Sequence, residues 1–561
     1  MNARPGRRRG EEMVLLALGG MGEIGMNCYA YGYGSLDDRR WLIVDCGVKF
    51  GDEHDPGIDI ILPDLAYLEA ERASIEAIVL THAHEDHLGA VAWLWPRLGV
   101  PVYCTGFAAE LLRGKLIEAG LEDKVPVHVV RPGKRLRLGA FSVEFIAVTH
   151  SIPEPMALAI TTPAGTVVHS GDLKIDHSPT IPPRFDEARF QALGDAGVAA
   201  FVCDSTNALR EGFSPSEADV ARTLKTIVGE ARGRVAVTTF ASHVGRIATT
   251  VEAARATGRE VVVAGRAMRT VIEAARAVGL LKEAGSFLSE EAFDLLAPDK
   301  TLLLCTGSQG EPRAAMARIA EDTHPHITLD AADLVIFSSR TIPGNEKAVG
   351  AVINGLARQG VEVLTSEDAL VHTSGHPRQE ELKAFYGWLR PRLLVPMHGE
   401  MRHLQRHLVL ARQAGIPEAI RIEAGDIVRL APGPAEIVDQ APAGRLHVDG
   451  RLIVPSIDGP ARLRRKLAQS GIVLVSLVVD PRGQARGAVR VVIDGLPLAD
   501  AAGDLLVDML EEAAESALEA LPRARRRSDD DIAEALRLAV RRAADAAWGK
   551  KPVVHVAVHR L

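Results

Sequence analysis

Short apolar runs separated by turn residues dominate the chain from Met13 to about Asn207. Met13–Leu18, Trp41–Val44, Ile78–Leu80, Val102–Cys104, Val143–Val148, Met156–Thr161, Thr166–His169 and Ala200–Val202 read as strands, with Pro163-Ala164-Gly165 as a tight turn between two of them. Helical spacing intervenes at Phe107–Ala119, which implies a layered α/β unit with buried sheets. Near residue 209 the rhythm changes to a regular alternation: strand Arg234–Thr239, helix Val244–Ala256, strand Glu260–Ala264, helix Ala267–Val278, then strands Leu302–Cys305 and Leu334–Phe337. Such alternation predicts a parallel sheet wrapped by helices. Polar, His-rich segments resume at Val371–His376 and Leu393–His398. The last unit reads as strands Ile472–Val479 and Val489–Ile493, helices over about 499–520 and 529–547, and a terminal strand Val553–Val558. Ser528 with Asp531 predicts a capping box for the second of those helices.

These shifts divide the chain into a flexible arm (1–12), a first layered segment (13–208), an inserted α/β segment (209–366), a return segment (367–431), a linker rich in Pro and Gly (432–454) and a C-terminal unit (455–561). A length of 561 residues agrees with several compact units.

Composition narrows the class. The chain is 47% hydrophobic and 25% charged, too apolar for a disordered protein, and at 4% aromatic its cores must be aliphatic. A net charge of −8 argues against an overall basic coat but leaves room for a local phosphate-binding channel. Cys28, Cys46, Cys104, Cys203 and Cys305 are scattered without a CxxC pair, fitting buried reduced thiols in a cytoplasmic protein. No apolar run approaches a membrane span, and Arg7-Arg8-Arg9 is followed by Glu11-Glu12 in a pattern unlike a secretory signal. The basic clusters Arg462 to Lys466 and Arg523 to Arg527 read as solvated faces.

The chemistry concentrates in Thr81-His82-Ala83-His84-Glu85-Asp86-His87, directly after the strand Ile78–Leu80. In an extended stretch residues two apart point the same way, so His82 and His84 can grip one cation. Past the turn, Asp86 and His87 can face a second. Imidazole and carboxylate donors suit zinc, with manganese or magnesium as alternatives. A solvated polar loop does not explain three His and one Asp in six residues. His150, Asp172 and His398 each lie just past a strand end, and together with the first motif they complete a set for two metals.

On these residues the chain resembles the metallo-β-lactamase superfamily, whose HxHxDH motif, later His, bridging Asp and final His match in order. The resemblance implies an αββα sandwich in which His82, His84 and His150 hold one metal, Asp86, His87 and His398 the other, and Asp172 bridges. The long insertion before His372 is similar to that of the β-CASP branch, whose acidic motif and histidine match Asp204 and His376. Leu18 to Asn27, Gly57-Ile58-Asp59, Cys305 to Pro312, Ile342 to Glu346 and Trp548 to Pro552 narrow the resemblance to the bacterial ribonuclease J family over nearly the whole chain. Departures are small: Ala83 stands where the family usually has Gly, Thr373 where Val is common, Pro377 where Ala is frequent, and His243 where Asn is frequent.

The expected reaction is phosphodiester hydrolysis at two cations about 3.5–4 Å apart, which lower the pKa of a shared water from about 15.7 toward about 7. Asp86 orients the resulting hydroxide. His376 donates a proton to the leaving 3′-oxygen with Asp204 tuning it, and the products carry 5′-phosphate and 3′-hydroxyl. His372, Thr373, Ser374, Gly375 and His376 offer a phosphate nest, and Ser242 is a further contact candidate. A tight turn capped by Ser374 is the alternative for that run. The family resemblance implies 5′→3′ digestion of 5′-monophosphorylated RNA, with endonuclease action, in rRNA processing and mRNA decay. It also implies a homodimer or homotetramer through the C-terminal domain and contacts with other RNA-decay enzymes. Competing readings are a DNA nuclease of the same branch, a small-molecule hydrolase, which would lack the insertion, and a degenerate RNA-binding subunit, which would have lost ligands. Gly19 to Gly25 is not read as a dinucleotide fingerprint; it reads as a strand-to-loop turn that brings the backbone close to the site.

Overall fold

A strand whose both faces are covered needs apolar residues at every position, and Glu12–Ala17, buried throughout, is of that kind. Met13, Leu15 and Ala17 point to one face, into a core shared with Phe141, Val143, Phe145, Leu158, Val202 and Val395. That core lies between two sheets, one of eight strands and one of seven. On the outer face of the seven-stranded sheet, Val168, Phe201, Cys203 and Leu394 pack against Phe190, Leu382, Phe385 and Leu410 of the helices Glu187–Ala196, Gln379–Leu389 and Met401–Gln413. The result is a four-layer sandwich, as expected. The computed structural model describes residues 11–36, 38–457 and 459–561. Most of the expected N-terminal arm, residues 1–10, lies outside the described residues.

Parallel pairing sets the strand ends that matter. Gly165–His169, Ala200–Asp204 and Leu393–Met397 run side by side with His169 opposite Val202 and Asp204 opposite Met397, so their C-terminal ends open on one edge. In the other sheet Asp38–Val44 pairs in parallel with Ile75–Val79, which puts Asp45 beside the segment entering Thr81. The inserted segment forms a five-stranded, all-parallel sheet around Val235–Thr238, with a core from Leu303, Val335, Met316, Ile319 and Leu356.

The chain divides into two compact units, 1–49 with 62–445 and 50–61 with 446–561. In the second, Ile472–Val479 pairs with Arg490–Asp494 and with Val553–Arg560, and Val475 and Leu477 pack on Leu510, Leu518, Leu536 and Val540 of two helices.

Several elements differ from the sequence expectation. The Pro-Gly-Pro run at 432–434 is a hairpin turn between Asp426–Ala431 and Glu436–Gln440, and Arg445–Asp449 and Leu452–Pro455 are strands too, so 432–454 is not an unstructured linker. Glu436–Gln440 is an edge strand exposed along most of its length, and it carries no apolar alternation to reveal it. The helix expected from about 499 begins at Leu506, because the Asp500 carboxylate accepts from the amides of Ala502 and Asp504 and closes a turn first. Ser528 caps its helix by accepting from Asp531 N at 3.2 Å, but the Asp531 carboxylate pairs with Arg525 and does not complete the box. All five cysteines are buried free thiols.

Candidate active site

The strand Ile75–Val79 delivers Thr81 and His82 in an extended segment, and His84 then caps a single helical turn, Glu85–Leu88, which carries Asp86 and His87. A longer helix, Val91–Leu98, follows that turn directly. His150, Asp172 and His398 arrive from their strand ends. Ligand atoms of His82, His84, His150 and Asp172 lie within 4.8 Å of one another, as do those of Asp86, His87, Asp172 and His398. Asp172 belongs to both groups. The seven residues expected from the sequence therefore meet.

Hydrogen bonds on the far side of each ring decide where its lone pair points. The Thr81 hydroxyl donates to Asp45 Oδ2 at 2.8 Å, so it accepts from His82 Nδ1 at 3.0 Å. His150 Nδ1 donates to the Gly375 carbonyl at 2.6 Å, His87 Nδ1 to Asp45 Oδ2 at 2.7 Å, and His398 Nδ1 to Asn27 Oδ1 at 2.9 Å. Four Nε2 atoms are thereby aimed inward. His84 Nδ1 sits 3.1 Å from both His82 Nε2 and His150 Nε2. Burial holds His82 and His150 well below the ordinary imidazole range and brings His84 down to about 4, so the three rings are neutral at pH 7. With its own proton on Nε2, His84 adds a third lone pair to that converging set. Asp172 Oδ1 is likewise buried without a hydrogen-bond partner. Burial would raise Asp172, but His398 and His87 outweigh it and keep the carboxylate ionised. Burial also opposes charge on His87, and Asp172, Asp86 and Asp45 overcome it. Lone pairs and an ionised carboxylate facing a common centre are what divalent cations require, so the donor set fits them.

Beside this cluster His376 Nδ1 lies 2.7 Å from Asp204 Oδ2 and 3.9 Å from Asp172 Oδ2. Burial disfavours its charge, yet Asp204, then Asp172 and Asp86, raise it to about 9. Of the expected nest, Ser374 Oγ accepts from Asn207 Nδ2 at 2.8 Å, and the Gly375 carbonyl is tied to His150. A Cβ on Gly375 would lie 2.5 Å from His150 Nδ1, so only glycine fits there. Thr373 is buried and donates to Pro215 O at 2.9 Å, which turns its hydroxyl away from the others. His372 is buried among Arg246, Glu217, His243 and Lys174. Ser242 is half-buried just ahead of the helix Val244–Ala256. His243, the unusual residue at its position, is an internal group: its Nδ1 accepts from Arg246 N at 3.2 Å and its Nε2 meets Glu217 at 3.1 Å.

Asn27, Asp45 and Thr81 orient the rings and were given no role by the sequence reading. Asp45 has φ 62° and His398 φ 51°, left-handed conformations held by surrounding bonds. The one available signal for Asp45 was a charged residue directly after the apolar run Trp41–Val44. As expected, the glycine-rich start passes the site, with Gly20 O accepting from His398 N at 2.8 Å.

This sandwich with a His/Asp cluster at its strand ends defines a metallo-hydrolase. Residues 22–211 match the metallo-beta-lactamase superfamily, and residues 361–421 match the Zn-dependent metallo-hydrolase RNA specificity domain. Residues 232–356 match the ribonuclease J beta-CASP domain and 461–561 the ribonuclease J C-terminal domain. A ribonuclease J of Sinorhizobium meliloti is 49% identical over 551 residues, 98% of each chain. Another from Mycolicibacterium smegmatis is 42% identical over 476 residues, 84% of each chain. The chain belongs to the ribonuclease J family of metal-dependent hydrolases. A crystal structure of a protein of unknown function from Enterococcus faecalis V583 shares the fold with TM-score 0.53 at 18% identity, covering 74% of this chain and 100% of that one. Among the described residues no helix is long and apolar enough to cross a membrane.

Proposed function

We propose that the protein digests RNA from the 5′ end, favours a 5′-monophosphate, and also cuts internally. The observation that carries this is the protonated His376–Asp204 pair set against two groups of ligands that share Asp172. His82, His84 and His150 would hold one zinc ion, Asp86, His87 and His398 the other, with Asp172 common to both; manganese or magnesium are alternatives. When bound, the cations supply an acidified water and offset charge on the phosphoryl oxygens. The Asp86 carboxylate, which accepts from Asn27 Nδ2 at 3.3 Å, orients that water. His376 keeps its Nδ1 proton on Asp204 and gives its Nε2 proton to the departing 3′-oxygen. Bound cations would offset the pull of Asp172 and Asp86 on His376, which leaves Asp204, outside both ligand groups, as the partner that keeps the ring charged. Ser374 and Gly375 seat a phosphate, with Ser242 as a further contact; His372 and Thr373 support that run from behind.

The segment 209–366 covers the strand over the metals. The C-terminal unit assembles two or four copies and would meet other RNA-decay enzymes, in cytoplasmic rRNA processing and mRNA decay. Removing residues 455–561 should lower the mass in solution; an unchanged oligomer sinks the assembly role. The activity is tested with matched RNAs bearing a 5′-monophosphate or 5′-triphosphate, and with DNA of the same sequence. Mononucleotides should appear fastest from monophosphorylated RNA. Equal release from all three, or from DNA alone, would overturn the reading.

A further inference from the structure

Three arginines near His376 stand outside the chain's ion pairs. Arg402 and Arg392 each meet a carboxylate, Glu400 at 2.8 Å and Glu418 at 2.5 Å. Arg210, Arg340 and Arg378 form no such pair among the described residues. The segments that carry them meet at Asn207, whose Nδ2 donates to Ser374 Oγ at 2.8 Å and to His376 O at 3.1 Å. Arg340 Nη1 reaches Asn207 Oδ1 at 3.5 Å, and the Arg210 amide donates to Asn207 O at 2.8 Å. Arg378 lies two residues past His376, and its Nε is buried with no partner. The carboxylates nearest Arg378 in sequence are already engaged, Glu380 by Lys383 at 2.7 Å and Glu381 by the amides of Ile175, Ser214 and Arg378, each at 2.9 Å. Partial burial, and then the like charges of Arg210 and Arg378, press Arg340 below its ordinary range. A protein gathers like charges in this way when something outside it supplies the counter-charge.

We propose that Arg210, Arg340 and Arg378 form a subsite for one backbone phosphate of the RNA strand, next to the leaving-group acid His376. Guanidinium forks match phosphate oxygens in two-point fashion. Arg210 and Arg340 come from the inserted segment and Arg378 from the return segment, so a phosphate held here is gripped from both. The inference rests on the ribonuclease reading and adds a contact remote from the metal ligands.

The test uses the full-length, metal-loaded protein on 5′-monophosphorylated RNAs two and ten nucleotides long, over a range of salt concentrations. Arg340→Gln and Arg210→Gln should each raise KM on the decamer about 10- to 100-fold, the loss expected of a charged hydrogen bond. Each should also flatten the plot of log(kcat/KM) against log salt by about 0.7. The loss should be smaller on the dinucleotide, which has one internal phosphodiester. Arg340→Lys should recover the salt slope but only part of the affinity. A double variant with wild-type KM and salt slope overturns the proposal, as does an equal loss on both substrates. Should Arg340→Gln fail to fold, Arg210→Gln and Arg340→Lys carry the same comparison. A wild-type protein that cuts no RNA refutes the ribonuclease reading itself, a distinct outcome.

Discussion

Asp45→Asn is the sharpest probe of how the site is built. Both Asp45 oxygens are buried and committed: Oδ1 accepts from Thr81 N at 2.7 Å, and Oδ2 from the Thr81 hydroxyl at 2.8 Å and from His87 Nδ1 at 2.7 Å. Asparagine has the same shape and tolerates the left-handed backbone at this position. If its oxygen keeps the Thr81 amide, its NH2 group faces His87 Nδ1, which must then accept. The ring then holds its only proton on Nε2, 3.3 Å from Asp172, where a cation would need the lone pair. The flipped amide would instead oppose NH2 to the Thr81 amide, donor against donor. Either way one ligand is disabled without leaving the site. Loss of such an orienting partner lowers metal affinity about 10- to 100-fold, or about 1.4–2.8 kcal/mol. Burial raises the Asp45 carboxyl, so removing its charge relieves a desolvation cost, and the metal-free fold should hold. Competition with a chelator should show one of two zinc equivalents loosened and the other unchanged. Two equivalents at wild-type affinity would refute the tautomer argument; loss of both with a collapsed fold would show Asp45 to be structural.

Further predictions follow from the same geometry. His376→Ala should cut turnover about 10²–10⁴-fold while both zinc equivalents remain, since a proton donor is removed and no ligand; loss of metal would mean that the acid has been mistaken for a ligand. Gly375→Ala must push His150, because its Cβ would lie 2.5 Å from Nδ1, so zinc affinity and RNA cleavage should fall together; a variant that keeps both contradicts the packing. His407, bonded to Ser205 Oγ at 2.8 Å, is brought down by burial from 6.5 to about 4. The unfolded chain therefore binds the extra proton between those values, and the stability this ring contributes is full above pH 6.5 and is lost as pH falls toward 4. Its share of the loss between pH 7 and pH 5 is about 2 kcal/mol, to be read as a shallower pH slope of denaturation midpoints in His407→Gln. An identical slope would sink that assignment.

Much of the site was legible because its residues announce themselves locally. His82, His84, Asp86 and His87 fall within six residues after an apolar run, and His150, Asp172 and His398 each follow a strand marked by a short apolar run. Asn27 and Asp45 were not legible. Each orients a histidine that lies far away in sequence, and neither position differs in type from an ordinary turn residue. The turn at 500–504 and the edge strand Glu436–Gln440 escaped for a related reason. A side chain capping its own backbone and a strand with no buried face leave no periodic trace.

Sequence alone determined which elements form and which donors are available, since periods of two and 3.6 and the grouping of His with Asp depend on neighbours along the chain. Tertiary structure decided which ring nitrogens face inward, that Asp204 rather than solvent keeps His376 charged, and that the charges of Arg210 and Arg378 act on Arg340. Those properties arise from pairings between residues tens to hundreds of positions apart. A one-dimensional pattern cannot carry a field summed over groups that only folding brings within a few ångströms.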